Sequence, residues 1–256
     1  MNRIVVFTGI FLLLAMNVFA VDELKPVLYF SFDKDTKDVI KDLSGNENNG
    51  KIFGSGKIVD GKFGKAISLG GPDTIDVIHS ETLVFKDELT VGIWVNLDGT
   101  ANQKIIGKSP IGSGWVLGVN GGIYPECWDK NGTNHTTTVG SVSAKTWTHL
   151  ALTYNSKTKA MVMYIDGKEV GRLDNGGQPI GDTINILVIG ASPWGKDWPS
   201  SGIYDEAKLY NIAFDADQVK NSLMEEGAGA KAVSQKYKMS TMWGAIKHYT
   251  NTNVKI

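Results

Sequence analysis

Four aromatic residues in polar segments are the first candidates for a binding site in this sequence. Tyr124 and Trp128 lie in a stretch rich in Gly, Thr and Asn, and Trp194 and Trp198 lie in a stretch that contains Gly and Pro. A tryptophan in a loop exposes apolar surface unless it packs or binds something. A flat ring also suits the apolar face of a sugar. We therefore expect either a ligand site at these residues or rings that cover the edge of the fold.

The stretch 33–50 supplies oxygen atoms of the kind that bind a hard cation. Its side-chain oxygens come from Asp33, Asp35, Asp38, Asp42, Asn46, Asn48 and Asn49. Calcium takes 6–8 such oxygens, but an EF-hand needs a glycine at the sixth position and a glutamate at the twelfth, and neither is present here. We expect either a calcium site that includes Asp33 and Asp42, or a solvated loop whose Asp and Asn side chains form turns.

Hydrolysis of a glycosidic bond would require two carboxylates about 5–9 Å apart on one face. The acids in predicted strands and their turns are few: Asp76, Asp166, Glu169, Asp205 and Glu206. Because adjacent residues of a strand point to opposite faces, Asp205 and Glu206 are not expected to act as a pair. The four histidines have no Ser or Cys partner in a recognisable motif, and Cys127 is predicted to be a buried, inert thiol. An enzyme is therefore the least favoured class.

The net charge and the N-terminal sequence indicate which partners and which cellular location to expect. The 256 residues carry a formal net charge of −1, which indicates no overall attraction to nucleic acid. Arg3, the apolar run 4–16 and the sequence Val18-Phe19-Ala20 predict a cleaved signal peptide over residues 1–20. No later apolar run is long enough to span a membrane, so we expect a secreted or cell-envelope protein without a transmembrane segment after signal cleavage.

Short strands with tight turns must position these side chains. Residues 147–172 predict a three-stranded antiparallel meander, in which Asp166-Gly167 forms a type I′ turn. The strand 89–97 alternates strictly between apolar and other residues. The predicted inter-sheet core comprises Leu89, Val91, Ile93, Val95, Leu150, Leu152 and Tyr154. Asp215 and Gln218 have the spacing of a capping box for one short helix near the C-terminus.

Several of these segments, in this order, resemble the laminin-G-like jelly-roll domain of the concanavalin A-like lectin/glucanase superfamily. They include Leu28–Asp33, Asp42–Gly50, Phe63–Leu69, Leu89–Val95, Trp147–Tyr154, Tyr164–Val170, Tyr204–Asn211 and 214–223. The resemblance covers about residues 27–224. It implies an all-β, two-sheet antiparallel sandwich, often with a bound calcium ion, and a role in glycan or protein binding. Since the first and last strands of this fold commonly pair, Asp205 joins Asp33 and Asp42 as an expected calcium ligand.

The domain organisation that follows is a signal peptide (1–20), a jelly-roll domain (21–226) and a basic linker and tail (227–256). The tail holds five lysines and no acid, whereas residues 21–226 hold 20 basic and 27 acidic side chains. We expect a secreted, non-catalytic module that binds a glycan or a cell-surface protein. The alternative is a structural protein–protein module that docks through its C-terminal tail. The glucanases of the superfamily carry a Glu-x-Asp-x-(x)-Glu strand, and this sequence has none.

Overall fold

A computed structural model describes residues 24–35, 38–109, 114–129, 131–174 and 185–227. The predicted signal peptide and the predicted tail beyond Gly227 lie outside these residues, so both stay predictions. Within the described ranges, no helix has the length and apolar character needed to cross a bilayer.

The described residues form two antiparallel eight-stranded sheets. In the first sheet the strand order is β14-β13-β12-β7-β16-β5-β4, and β1 also pairs with β16. In the second sheet the order is β11-β10-β9-β8-β15-β6-β3-β2. The strands are β1 (Leu28–Phe30), β2 (Val39–Ile40), β3 (Gly50–Phe53), β4 (Lys57–Asp60), β5 (Lys65–Leu69), β6 (Thr74–Val77), β7 (Glu88–Leu97), β8 (Gln103–Lys108), β9 (Gly114–Val119), β10 (Ile123–Trp128), β11 (Asn134–Thr136), β12 (Thr148–Asn155), β13 (Ala160–Ile165), β14 (Lys168–Leu173), β15 (Leu187–Ile189) and β16 (Gly202–Tyr210). This is the predicted two-sheet sandwich.

The meander β12-β13-β14 is confirmed, and β12 is a central strand between β13 and β7. Asp166 and Gly167 have φ values of 49° and 71°, as a type I′ turn requires. The Asp166 carboxylate accepts a hydrogen bond of 2.9 Å from the backbone N–H of His149, which fixes the turn against β12.

The core between the sheets contains every residue that the sequence placed there. The exposed fraction of each of those seven side chains is 2% or less. Cys127 joins the same core, and burial raises the pKa of its thiol to about 12, with the Asp129 carboxylate adding to the rise. The thiol is therefore inert, as predicted.

Helix α1 (Ala216–Gln218), continued by a π-helical turn (Val219–Leu223), packs on the outer face of the first sheet. Its capping box is present, because the Asp215 carboxylate accepts from Gln218 N and the Gln218 side chain accepts from Asp215 N. A second apolar cluster lies beneath it, made of Ala151, Val162, Tyr164, Tyr210, Phe214, Val219 and Leu223. The first sheet is therefore covered on both faces along β12 and β16.

Candidate functional site

The second sheet presents Tyr124, Glu126 and Trp128 on its outer face. They alternate along β10 with Ile123 and Cys127, which point into the core. Tyr124 and Trp128 were predicted to lie in a loop, and this was wrong, since residues 121–140 contain β10 and β11. The side chains of this segment alternate with the period of two that is typical of a strand, but Pro125 argues against a strand because proline is depleted in strands.

The loop that follows β15 places two further tryptophans on the same face. Trp194 packs edge-on against Trp128 with ring centroids 5.0 Å apart, and Trp198 lies 6.4 Å from Trp194. The exposed fraction of Trp198 is 43%. Its φ is 50°, a left-handed backbone conformation that is unusual for a bulky residue and is often found where function requires it. The structure thus brings together all four aromatic residues that the sequence singled out.

A buried ion pair lies at the centre of this aromatic cluster. Lys104 Nζ lies 3.0 Å from Glu126 Oε2, and the Tyr124 hydroxyl donates to Glu126 Oε1 at 2.9 Å. The same ammonium lies 4.2 Å from the centroid of the Tyr124 ring and 5.6 Å from that of Trp198. The sequence reading missed both members of the pair, because residues 121–140 were not recognised as containing a strand.

Gly118 allows Lys104 to reach across β9. It is the register partner of both Lys104 and Tyr124 on the neighbouring strands. A Cβ at this position would lie 2.7 Å from Gln103 O and 3.4 Å from Lys104 Cδ, so only glycine leaves the path open. Burial lowers the pKa of Lys104, and the Glu126 carboxylate opposes this. Burial, together with Glu126, raises the pKa of Tyr124.

The outer face of the first sheet also carries ionisable groups, but they are sealed. A β-bulge between Asp205 and Lys208 gives Glu206 a φ of 50°. Because Tyr204 and Ala207 both lie in the core, the two residues between them share the outer face. The expectation that Asp205 and Glu206 point to opposite faces was therefore wrong.

Each acid of this bulge has its own partners. Glu206 pairs with Lys208 at 2.8 Å and accepts from the Tyr29 hydroxyl at 2.9 Å. Asp205 accepts from Phe63 N at 2.9 Å, and burial together with the Glu206 charge raises its pKa to about 7. His149, fully buried nearby, has no hydrogen-bond partner on either ring nitrogen and packs edge-on against Trp94 at 5.3 Å. It is therefore a packed structural residue.

The three predicted calcium ligands occupy two places. Asp33 accepts from Lys65 N and Asp205 from Phe63 N, so both carboxylates border the 61–65 turn. The predicted pairing of the first and last strands, β1 with β16, is confirmed. Both oxygens of Asp42 instead accept hydrogen bonds from nearby groups, namely Tyr29 N, Ser44 N, Asn48 N and the Ser44 hydroxyl.

The donor atoms at the turn are of the kind that calcium binds, but the set is incomplete. Across the ranges that the structure describes, no three His, Cys, Asp or Glu side chains converge as a metal site would need. Asp33 and Asp205 therefore fit an ion only if backbone carbonyls and water supply the remaining ligands.

A surface cleft of about 500 Å³ lies elsewhere, between Asp35 and residues 54–58. No aromatic side chain lines it, and Gly54, Ser55 and Gly56 form much of its wall. Since binding pockets usually combine apolar or aromatic walls with a few polar groups, the aromatic cluster is the better candidate site.

The chain belongs to the concanavalin A-like lectin/glucanases superfamily. A laminin-G model of that superfamily matches residues 69–220, more than half of the sequence. This confirms the resemblance drawn from the strand segments. No curated protein matches the sequence closely enough to count as a relative.

Solved structures with this fold include binding domains of toxins and of an enzyme. The binding domain of Paraclostridial Mosquitocidal Protein 1 has a TM-score of 0.64 at 21% identity, over 77% of this chain and 51% of that one. The chain thus spans about half the length of that toxin domain. Domain 4 of AbnA, a GH43 extracellular arabinanase from Geobacillus stearothermophilus solved with arabinotriose, has a TM-score of 0.62 at 23% identity, over 78% of this chain and 98% of that one. At these identities the likeness is one of fold.

Proposed function

We propose that this protein is a secreted, non-catalytic carbohydrate-binding module. Its site comprises Tyr124, Trp128, Trp194 and Trp198 on the outer face of the second sheet. One observation carries the proposal: two elements far apart in sequence, β10 and the loop after β15, bring four rings together on one face. Trp198, whose exposed fraction is 43%, offers a ring to a ligand.

The chemistry of the cluster suits a sugar. An aromatic ring receives the C–H-rich face of a pyranose or furanose, while polar groups at the rim can bind its hydroxyls. The three tryptophans meet at interplanar angles of 87° and 69°, so they form a corner and not a flat stack. Such a corner can contact a ring on two sides.

Solved structures with the same fold support binding as the role. AbnA domain 4 was solved with arabinotriose, and one botulinum neurotoxin binding domain was solved with SialylT. The binding domain of the same neurotoxin, botulinum neurotoxin DC, was also solved with rat synaptotagmin II, which makes a cell-surface protein the second candidate ligand class. The predicted signal peptide supports an extracellular or cell-envelope setting.

The spacing of the two strand-borne carboxylates on the face of the site is one observation that supports a non-catalytic role. Glu126 on β10 and Asp76 on β6 are acids on the outer face of the second sheet, with β9, β8 and β15 between them. Four steps of about 4.8 Å separate these strands by roughly 19 Å. The pair is therefore too far apart for glycoside hydrolysis.

A structural calcium ion at the 61–65 turn is part of the proposal. Asp33 and Asp205 would hold it and would tie the first strand of the domain to the last. The ion would act on stability, since the aromatic cluster lies on the other sheet.

A glycan array with matched variants tests the function. We expect Trp128→Ala and Trp198→Ala to weaken binding at least ten-fold with little change in melting temperature. Val39→Ala is the control, because Val39 lies on the outer face of the same sheet, is 48% exposed and is six strands from β10. The proposal would be contradicted if the control variant lost binding while the tryptophan variants kept it, or if the parent bound no glycan.

A further inference from the structure

The Lys104–Glu126 pair lies within the aromatic cluster, yet a bound sugar would not touch its charges directly. The exposed fractions of the two side chains are 3% and 9%, and Glu126 Oε2 is inaccessible to solvent. The pair instead holds the rings, through the Tyr124 hydroxyl and through the ammonium beneath Tyr124 and Trp198. The pair would therefore act on a bound ligand indirectly, by holding the rings in position and through the electric field of its two charges.

The charges around the cluster disfavour an acidic ligand. Lys196 is already paired with Asp76 at 3.0 Å, and Lys104 with Glu126. Asp129, whose carboxylate lies 3.2 Å from His135, and Asp197, which is exposed beside Trp198, add negative charge. An anionic sugar therefore meets the acids Asp129 and Asp197 at the rim, and the two lysines described beside the rings, Lys104 and Lys196, already have acidic partners, so its carboxylate would lose water without compensation.

A cationic ligand would be attracted by the acids at the rim, Asp129 and Asp197, but it is disfavoured at the faces of the rings. Aromatic rings attract cations, but the Lys104 ammonium already occupies that position against Tyr124 and Trp198. A second cation at these rings would be repelled by the first. An uncharged polyhydroxylated ring meets neither obstacle.

We propose that the site selects neutral sugars over acidic and amino sugars, and that Lys104 and Glu126 are the positioning residues that set this selectivity. This inference rests on the proposed function. On this inference, the ligand class is determined by the balance between the two buried charges, and not by either charge alone.

The test compares sugars that differ only in charge. Trimers of β-1,4-linked glucose are titrated beside the corresponding uronate and glucosamine trimers at pH 6 and low salt. The galactose and mannose series are treated in the same way. We expect the neutral member of the series that binds to bind at least ten-fold more tightly than both charged members. Equal or tighter binding of a charged member by the parent protein would overturn the inference while leaving the proposed function standing.

Two single variants should shift the selectivity in opposite directions. Glu126→Gln leaves the ammonium unbalanced and is expected to improve the uronate-to-neutral affinity ratio at least ten-fold. Lys104→Met leaves the carboxylate unbalanced and should lower that ratio. A purely structural role would weaken all sugars alike and leave the ratio unchanged, which would refute the assignment.

The double variant Lys104→Met/Glu126→Gln guards against misfolding of either single variant. It removes both charges together, so the uronate-to-neutral affinity ratio should stay near the parental value, whereas the glucosamine-to-neutral ratio should rise because no ammonium remains against the Tyr124 and Trp198 rings. A double variant that prefers the uronate would also refute the inference. If neither the parent nor any variant binds a sugar of these series or of the glycan array, the proposed function itself fails, and the selectivity fails with it.

Discussion

The outer faces of the two sheets carry similar kinds of residue but differ in what covers them. Each has a buried Lys–Glu pair beside a tyrosine: Lys208–Glu206 with Tyr29 on the first sheet, and Lys104–Glu126 with Tyr124 on the second. On the first sheet the chain's own segment 223–227 covers the cluster. On the second sheet the cover is a set of tryptophan rings that remain partly exposed.

The difference agrees with the proposal that the same chemistry serves stability on the first sheet and binding on the second. Over the first sheet, Lys208 Nζ donates to Glu225 O at 2.7 Å and Trp94 Nε1 donates to Met224 O at 3.2 Å. The backbone of segment 223–227 therefore accepts hydrogen bonds from these two side chains. Over the second sheet, apolar ring surface is left in contact with solvent. Such a surface is retained where a ligand uses it.

The largest expected effect is on the first sheet. Lys208→Met would leave Glu206, whose side chain is 1% exposed, without its cation. Breaking a buried pair in this way typically costs about 3–5 kcal/mol of unfolding free energy. Urea denaturation measures the loss, and the double variant Lys208→Met/Glu206→Gln should recover most of it. A single variant as stable as the parent would show that the face is not sealed.

Calcium should stabilise the 61–65 turn by a smaller amount. An ion that binds only the folded state adds about 2.7 kcal/mol at a hundred-fold excess over its Kd. We expect a chelator to lower the melting temperature of the parent but not that of Asp205→Asn. Asp60→Asn is the control, because Asp60 lies beside the same turn and its side chain is 93% exposed. A parent melting temperature that ignores chelator would argue against the ion.

His149 should make stability depend on pH. Burial lowers its pKa to about 3, with the Lys208 charge adding to the effect, whereas the unfolded side chain titrates near 6.5. The unfolded state therefore binds the extra proton first, and this contribution to stability is lost as pH falls below about 6.5, with a slope of at most ~1.4 kcal/mol per pH unit.

His149→Phe should remove that slope. In the presence of a chelator, Asp205, whose pKa is raised to about 7 without calcium, contributes the opposite slope between about pH 4 and 7, so the variant must be compared with the parent at each pH under the same conditions. Denaturation curves from pH 4 to 7 that are parallel for the two proteins would contradict the assignment of a neutral, buried histidine.

Removal of the tail should have the smallest effect. Deletion of residues 229–256 keeps every described contact of segment 223–227, so we expect a nearly unchanged melting temperature. Deletion of 223–256 removes Leu223, which lies over Gly92, and the bonds to Trp94, Lys208 and Tyr29, so this variant should be strongly destabilised. If the shorter deletion also unfolds the domain, the predicted boundary near residue 227 is wrong.

The sequence predicted those parts of the fold that depend on local patterns. Alternation identified β7 and β12, and Asp166-Gly167 identified the hairpin, because such signals need no partner strand. The four aromatic residues of the proposed site were singled out by residue type alone, without their geometry. Lys104 and Glu126 escaped notice because their pairing requires the β8-β9-β10 register and the gap at Gly118.

The bulge at Asp205 and Glu206 could not be read from the sequence for a similar reason. Strict alternation places neighbouring residues on opposite faces, and only the pairing of β16 with β7 reveals the extra residue. In both cases the side-chain types were known from the sequence, but the register between strands that are distant in sequence was not.

The tryptophan indole N–H resonances offer the most direct test of which face binds a ligand. The folded protein, labelled with ¹⁵N, is titrated with whichever oligosaccharide the array identifies. The indole signals of Trp128, Trp194 and Trp198 should shift with a common Kd, whereas those of Trp94 and Trp115, which lie against the first sheet's cover and in the core, should not. Shifts confined to Trp94, or none at the three second-sheet tryptophans, would contradict the assignment of the binding face.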